Sequence, residues 1–355
     1  MQSKKTFGVR STMLFVSAAA LLTPLSLALA EQTTHGVSAP TTDEAVKSWH
    51  ETLKNFPPIA EGCFHASFPS LVWEQEKCGS APSYRSNPPV HANSANAASA
   101  TTDTVGNGYD YSAQTSNLTQ SATGSFPSVT GVTKRSRSNT NYTLQLNTNI
   151  SGSISTNPPN TSPVCASYGY SGCVTWEQFV YSSNYAGGGA QAFIQNWLFI
   201  PSGKSCPAGW TNYSTSSYNG CYKNSASVAT TQVPLTGLAS VKLAGSASTS
   251  GLDTVTFTYG TTAKAISQNG STLDVGATWN QSEFNVVGNG GGSGATFNSG
   301  SSLTVKLAVN DGTTNAPTCV GPTNGGTTGE TNNLNLGACV AAGGSSPYIQ
   351  FTESN

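Results

Sequence analysis

The first part of the chain carries apolar residues at helical spacing. Ala45, Trp49, Leu53 and Phe56 recur at intervals that place them on one face of a helix. Acidic residues occupy the first turn, and two prolines follow the last apolar position. The pattern therefore predicts an amphipathic helix over 43–55.

From residue 105 onward the pattern changes to short runs that alternate between apolar and polar positions. Clusters of Gly, Asn and Ser separate the runs, and no segment of useful length has helical periodicity. The sequence predicts an all-β domain over 105–355, one large antiparallel β-sandwich of the concanavalin or jelly-roll type. The predicted strands are 142–147, 174–181, 192–200, 240–244, 254–259, 283–287, 303–309 and 348–352.

Three further segments precede the sandwich. Residues 1–30 have a basic start, an apolar stretch and an Ala-Leu-Ala end, which is typical of a secretory signal peptide. The apolar stretch is shorter than the ~20 residues that span a bilayer, so we expect a secreted or periplasmic protein without a membrane anchor. Residues 31–80 hold the helix and a disulfide-stapled loop, either a pro-segment or an accessory arm. Residues 81–104, rich in Pro, Ala, Asn and Ser, predict a linker.

Charge narrows the range of partners. Removal of residues 1–30 leaves the chain with a net charge near −4, and charged residues are only 9% of the sequence. There is no basic face that could displace counterions from nucleic acid, so no nucleic-acid partner is expected.

The cysteines predict a structural framework. Eight cysteines in an exported chain favour disulfides over metal ligands, particularly since no CxxC pair occurs. They fall into four near neighbours, and local pairing is the simplest arrangement. The predicted bridges are Cys63–Cys78, Cys165–Cys173, Cys206–Cys221 and Cys319–Cys339.

Histidine is absent after His91, which restricts the chemistry of the sandwich domain. A Ser-His-Asp triad, a Cys-His pair and a histidine zinc site are excluded there, and we expect neither a metal nor a cofactor. Catalysis in this domain would have to use carboxylates, amides and hydroxyls.

Two predicted strands joined by a glycine-rich loop hold the most informative side chains. In 192–200, alternation separates Phe193, Gln195 and Trp197 from an aliphatic set that suits a sandwich core. An aromatic face containing an amide indicates either a ligand groove or a sheet covered by a loop. Strand 174–181 places Trp176 and Gln178 on one face and Glu177 on the other, and either face could join the groove. Glu177 and Gln178 thus compete for one role.

Further along, Trp279 leads into a predicted strand that carries Glu283. A carboxylate beside a tryptophan on a strand is a candidate for a groove, although surface glutamates on strands are also common. Glu330, in an Asn-rich turn, is expected to be structural.

The segments QNWLFIP (195–201) and ATWNQSEF (277–284) together resemble the layout of the eqolisins, glutamic peptidases with a concanavalin-like sandwich. The resemblance implies an endopeptidase in which a glutamine and a glutamate activate water and the glutamine helps to hold the oxyanion. By position the glutamine is Gln178. The family's Ala-Glu-Trp reads Ala-Thr-Trp here, and the nearest carboxylate is Glu283.

The segments GCFHASFPS, VGNGYDYSA, CPAGW, GCYKNS, SEFNVVG and TGETNNL also resemble the shared blocks of a group of secreted microbial β-sandwich proteins, to which no activity is attached.

Three functions remain open from the sequence. In an acid-acting peptidase, Glu283 or Glu177 would be the base and Gln178 or Gln195 the oxyanion donor. In a carbohydrate-binding sandwich, Trp176, Trp197 and Phe193 would stack on sugars. A retaining hydrolase would need Glu177 and Glu283 about 5–5.5 Å apart. The third function is a secreted structural protein without a catalytic site. The expected partner is an extracellular polypeptide or glycan.

Overall fold

A computed structural model describes residues 42–87, 110–133, 141–321 and 329–355 of the chain. The predicted signal peptide and most of the predicted linker lie outside these residues, so the domain boundaries stay predictions. The described residues form two large antiparallel sheets with one short α-helix.

The helix and strands follow in chain order, with five 3₁₀ turns between them. They are α1 Thr42–Leu53, β1 Gly62–Ser67, β2 Glu74–Glu76, β3 Ser112–Gln114, β4 Ser121–Thr130, β5 Thr143–Thr148, β6 Val174–Ser182, β7 Gln191–Phe199, β8 Thr211–Ser214, β9 Asn219–Asn224, β10 Val228–Ala229, β11 Val241–Ser246, β12 Leu252–Tyr259, β13 Thr262–Asn269, β14 Gln281–Val287, β15 Gly294–Ala295, β16 Ser302–Asn310, β17 Thr318–Val320, β18 Thr331–Asn332, β19 Asn335–Leu336, β20 Val340–Ala342 and β21 Tyr348–Ser354. The 3₁₀ turns are Pro163–Cys165, Tyr185–Gly187, Leu235–Ser240, Gly270–Thr272 and Val275–Ala277.

Sheet I has ten strands in the order β19-β21-β16-β4-β11-β12-β13-β1-β2, with β20 paired to β21. Sheet II has nine strands in the order β17-β3-β14-β5-β6-β7-β9-β8, with β10 paired to β7. A short parallel pair, β15 and β18, lies outside both. The two sheets form a sandwich, which confirms the predicted fold class.

All eight predicted strands are present, with ends that differ by a few residues. Two long strands of sheet I were not predicted, β4 and β13. Their buried positions include small residues such as Ala122 and Ala263, with Ser, Thr and Gly between them, so the apolar alternation is weak.

The N-terminal segment is part of the sandwich. β1 pairs with β13 along its whole length, from Gly62 opposite Ser267 to Ser67 opposite Thr262. Trp49 and Leu53 of α1 pack against Ala66 and Ala263 on these two strands. The predicted helical stripe is correct for Trp49 and Leu53 but wrong for Phe56, which follows the end of the helix and is 58% exposed.

All four predicted disulfides are present, and the described residues contain no free cysteine. Within the same residues, the longest helix is too short and too polar to cross a membrane.

The apolar core fills the space between the sheets, where two glycines of sheet I receive aromatic rings of sheet II. A Cβ atom on Gly245 of β11 would lie 2.2 Å from the Phe179 ring, and one on Gly124 of β4 would lie 2.1 Å from the Phe284 ring. The rings therefore rest directly on backbone, which lets the two sheets approach closely.

We expect Gly245→Ala to destabilise the protein by about 1–3 kcal/mol, since the added methyl group would overlap Phe179. Urea unfolding measures the change. Phe179→Leu makes room for the methyl group, so the double variant should lose less free energy than the two single variants together. A Gly245→Ala protein with unchanged stability would contradict this account of the packing.

Candidate functional site

The strand pair β6–β7 presents one face to the core and one face away from sheet I. Phe179, Ile194 and Leu198 lie in the core, as alternation predicts. Residues on the other face of β6 and β7 include Gln178 and Gln195, which are directly opposite each other. We call this the outer face of sheet II.

Cross-strand pairing extends the outer face into a row of polar side chains. Gln178 is opposite Gln195 and Asn147, Gln195 is opposite Asn224, and Asn147 is opposite Glu283. Residues paired in this way project from the same face of an antiparallel sheet. The polar row therefore consists of Glu283, Asn147, Gln178, Gln195 and Asn224, one residue from each of five adjacent strands.

Hydrogen bonds connect three members of the polar row, Glu283, Asn147 and Gln178. The Asn147 amide donates to Glu283 Oε2 at 2.5 Å, and Gln178 Nε2 donates to Asn147 Oδ1 at 2.9 Å and to Gln145 Oε1 at 3.1 Å. Gln178 Oε1 is buried and has no hydrogen-bond partner among the described residues. An unpaired buried amide oxygen is costly, so this atom is a place where a ligand donor would be favourable.

Glu283 belongs to an acid cluster that also includes Asp110 and Glu353. The Asp110 and Glu283 carboxyls lie within hydrogen-bonding reach of each other. Asn285 donates to Asp110 and, at 3.2 Å, to Glu353 Oε2. All three carboxyls are buried, and none pairs with a lysine or arginine in the described part of the chain.

Burial raises the pKa of each carboxyl in the acid cluster. It raises the pKa of Asp110 to about 6 and that of Glu353 to about 8. The pKa of Glu283 is raised well above its usual range, first by burial and then by the neighbouring Asp110. Asp110 and Glu283 thus share protons over a broad pH range, because two adjacent carboxyls cannot both ionise easily.

Glu177 lies on the opposite face of β6 and is separate from this site. Gln268 of sheet I donates to Glu177 Oε2 at 3.2 Å and to Asn196 Oδ1 at 2.8 Å. Burial and Asp253 raise the pKa of Glu177 well above its usual range, and burial raises that of Asp253 to about 7. The register thus places Gln178, and not Glu177, on the outer face. It also separates Glu177 from Glu283, so these two cannot flank one groove.

The expected substrate-binding aromatics divide between the two faces. Trp176 and Trp197 stack on each other on the outer face with ring centroids 6.2 Å apart, under Ile150 and Ile154. Trp279 instead packs in the core beside Phe179, so the structure does not bring it to the polar row. Phe193 is on the outer face and contacts Tyr84.

Residues 82–87, the start of the predicted linker, lie across the outer face. We call them the covering segment. Tyr84 and Ser86 are fully buried there. Glu330, expected to be structural, accepts the Asn87 N–H at 3.3 Å and the Gly292 N–H at 3.1 Å, and thereby fixes the end of this segment.

Sequence reasoning missed three components of the site: Asn147, Asp110 and the covering segment. Asn147 could have been found from its place in a predicted strand, at the period-two spacing from Gln145. Asp110 and Tyr84 come from non-strand segments, and no local pattern shows where such segments pack.

No group of three or more His, Cys, Asp or Glu in the described residues is arranged to hold a metal ion. A cavity of about 190 Å³ lies at the end of α1 against sheet I, lined mainly by Ser, Thr and Ala, and contains no carboxyl group. The polar row with the acid cluster, and separately the Glu177–Asp253 pair, are the places in the described residues where buried carboxyls meet amides.

Known proteins give little guidance. No protein-family model and no curated protein matches the chain. A crystal structure of scytalido-glutamic peptidase with a peptide-based transition-state analog matches at a TM-score of 0.22 and 13% identity, over 70% of this chain and 96% of that chain. At this level of similarity the match bears on neither the family nor the activity of the chain.

The buried carboxyls predict that the protein is more stable in acid. In the folded state they hold protons that the unfolded chain loses above about pH 4, so a rise in pH favours unfolding. Stability should fall between about pH 4 and the raised pKa of Glu353, about 8. Urea unfolding at a series of pH values measures this decline.

Glu353→Gln replaces the carboxyl group with an uncharged amide that cannot ionise. The decline in stability should therefore be less steep near pH 8 in this variant. Glu51→Gln is the matched control. Burial would raise the pKa of Glu51, but hydrogen bonds from Lys242 and Lys54 outweigh this effect and lower it to about 2. The contribution of Glu51 to the free energy of unfolding is lost only as the pH falls toward its lowered pKa. Glu51→Gln should therefore leave the decline in stability above pH 4 unchanged. An equal decline in Glu353→Gln and the parent would contradict the assignment.

Proposed function

We propose that this chain is a secreted hydrolase of the carboxyl-dependent endopeptidase class, acting in acidic solution, with Glu283 and Asp110 activating a water molecule. The observation that carries the proposal is the pair of carboxyls in hydrogen-bonding reach, without a cation, at the end of a row of amides. Four disulfides are consistent with an extracellular location.

The proposed reaction uses the pair when it holds a single proton. The ionised carboxylate accepts a proton from water while the water oxygen attacks the carbonyl carbon of a peptide bond. The same proton later passes to the nitrogen of the leaving amine as the C–N bond breaks. Asn147 orients Glu283 through its hydrogen bond, so Asn147 is a positioning residue.

Gln178 is the proposed donor to the oxyanion. Gln178 lies two strands from Glu283, and its Nε2 atom is joined to Glu283 through Asn147 on the strand between them. Both Nε2 hydrogens are engaged, so the substrate carbonyl has to replace Gln145 Oε1 as the acceptor of one of them. The amide then stabilises the charge that develops on the carbonyl oxygen. The unpaired Oε1 atom of Gln178 could accept an N–H group of the same substrate. Gln195 is farther from the carboxyl pair and is assigned to binding.

The carboxyl spacing is less suited to glycan hydrolysis. Retaining glycosidases separate their carboxyls by about 5–5.5 Å and inverting enzymes by about 6.5–9.5 Å. Glu177 and Glu283, the two glutamates that a retaining mechanism would need across one groove, lie on opposite faces of sheet II. The outer-face tryptophans are also fully buried, so their rings offer no open surface to a sugar.

The pH dependence follows from the carboxyl pair. Burial is the largest cause of the raised pKa of Asp110, so water admitted by an opened site would lower it from about 6 toward the ordinary value near 4. The state in which the carboxyl pair holds one proton therefore becomes populated as the pH rises through the range between about 4 and about 6. It ends when the second carboxyl ionises, and the falling stability of the fold acts in the same direction.

We expect cleavage of a denatured protein substrate with a bell-shaped pH profile whose rising limb lies between about pH 4 and pH 6. Because residues 82–87 cover Gln195 and Asn224 of the polar row, the Tyr84→Ala chain is assayed beside the wild-type chain. Glu283→Gln and Asp110→Asn should each reduce the rate at least about 100-fold, as expected on loss of a general base.

Glu177→Gln is the matched control, because Glu177 is an equally buried glutamate on the other face of sheet II. Its rate should stay within a few-fold of the parent rate. Equal activity of Glu283→Gln and the parent would reject the assignment of the base. No cleavage by any form between about pH 3 and pH 8 would reject the peptidase function, and a glycan-binding screen would follow.

A further inference from the structure

The contacts of the covering segment are those of a bound peptide. Asn224 Nδ2 donates to the carbonyl oxygens of Pro82 and Tyr84, at 2.8 and 2.7 Å. Gln195 Nε2 donates to the Tyr84 carbonyl at 3.0 Å, and Gln195 Oε1 accepts the Ser86 N–H at 3.0 Å. Most of these contacts reach main-chain atoms, so they would be available to many polypeptide sequences.

One side chain anchors the segment. The Tyr84 ring is fully buried, with its centroid 5.3 Å from that of Phe193 and 5.2 Å from that of Tyr185. Its hydroxyl accepts a hydrogen bond from Gln145 Nε2 at 2.7 Å. The hydroxyl also lies 3.4 Å from Ser86 Oγ within the segment. A large aromatic side chain in an apolar pocket with a hydrogen bond at its tip is typical of the anchor residue of an interface.

Glycine-rich loops close over the other edge of the segment. The Gly291 N–H donates to the Arg85 carbonyl at 2.9 Å, and the Gly329 N–H donates to the Asn87 carbonyl at 2.6 Å. A Cβ atom on Gly329 would lie 2.9 Å from the Asn87 side chain, and Gly291 has a φ of +65°. Glycine at these positions lets backbone approach backbone.

From these contacts we propose that the outer face of sheet II is a binding groove for a polypeptide with an aromatic anchor residue, and that residues 82–87 occupy it as an exchangeable internal ligand. The groove amides would otherwise be buried without partners, which requires an occupant rich in hydrogen-bonding groups. This deepens the proposed function by naming the ligand, and it rests on that function only in treating the bound polypeptide as a substrate.

The contacts of Tyr84 and Arg85 predict which residues of a polypeptide the groove prefers. The Tyr84 pocket is formed by Val180, Phe193 and Tyr185, with Gln145 at its end. It selects tyrosine most strongly, since phenylalanine would leave the Gln145 donor without its partner. Arg85 stacks on the Tyr213 ring, with Cζ 3.7 Å from the centroid, which favours a cationic residue after the anchor.

The test uses the full chain and a fluorescein-labelled peptide with the sequence of residues 81–87, with fluorescence anisotropy at about pH 5 as the readout. Tyr84→Ala removes the internal anchor and leaves the groove unchanged. We expect this variant to bind the tyrosine peptide at least about tenfold more tightly than a peptide with alanine in place of tyrosine. The wild-type chain and the conservative variant Tyr84→Phe should bind neither peptide measurably at micromolar concentration.

Ser86→Pro provides a second way to loosen the segment. Proline lacks the N–H group that Ser86 donates to Gln195, while Tyr84 and the groove keep their residues. We expect intermediate binding of the tyrosine peptide by this variant. If both variants are folded by circular dichroism and bind no peptide, the proposal is wrong. Failure of both to fold would also overturn it, because the segment would then be an indispensable part of the core.

Glu283→Gln, added to Tyr84→Ala, separates this inference from the proposed function. Peptide binding should persist while cleavage is lost. Binding without cleavage in the Tyr84→Ala parent would reject the peptidase and keep the groove. Cleavage without selective binding of the tyrosine peptide would reject the groove and keep the peptidase.

Discussion

The structure depends on five buried carboxyl groups that have raised pKa values and no lysine or arginine partner in the described residues. Asp110, Glu177, Asp253, Glu283 and Glu353 are almost inaccessible, and the lysines that form ion pairs in the described residues lie elsewhere. A buried carboxylate without a positive partner is very unfavourable, so these groups are retained largely as protonated pairs. Glu177 and Asp253 join sheet II to sheet I. The acid cluster joins β14 to the C-terminal strand of sheet I. Proton sharing is thus part of how the sandwich is held together.

The burial of carboxyls without cations links the low charge content of the chain to the chemistry of its candidate site. A chain with 9% charged residues has few cations with which to neutralise an interior acid. Amide groups stabilise the buried carboxyls instead: Asn147 donates a hydrogen bond to Glu283, and Gln268 donates one to Glu177. Amide donors stabilise either protonation state without adding charge, so the carboxyls stay titratable within the fold. A lysine at the same place would hold its partner permanently ionised.

The sequence predicted the sheets better than the site. Period-two alternation located eight of the strands, and cysteine proximity located the disulfides, because both signals are local. The choice between Glu177 and Gln178 could not be made locally, since both faces of β6 are buried and each carries a polar residue. Only pairing with Asn147 and Gln195 identifies the outer face. Asp110 and Tyr84 reach the site through non-local packing, for which one sequence contains no periodic signal.

The attachment of the covering segment determines how easily a free polypeptide can displace it from the groove. The Gly79 N–H pairs with Ser227 at 2.8 Å, and the Cys63–Cys78 disulfide holds the same stretch to β1. Residues 82–87 therefore remain tethered beside the groove even when they leave it. A short tether of this kind sets an effective concentration on the order of millimolar. A free polypeptide with the same contacts has to approach that concentration to displace its internal competitor, or exceed it in affinity. The groove would thus respond to abundant or unusually well-matched ligands and ignore dilute ones.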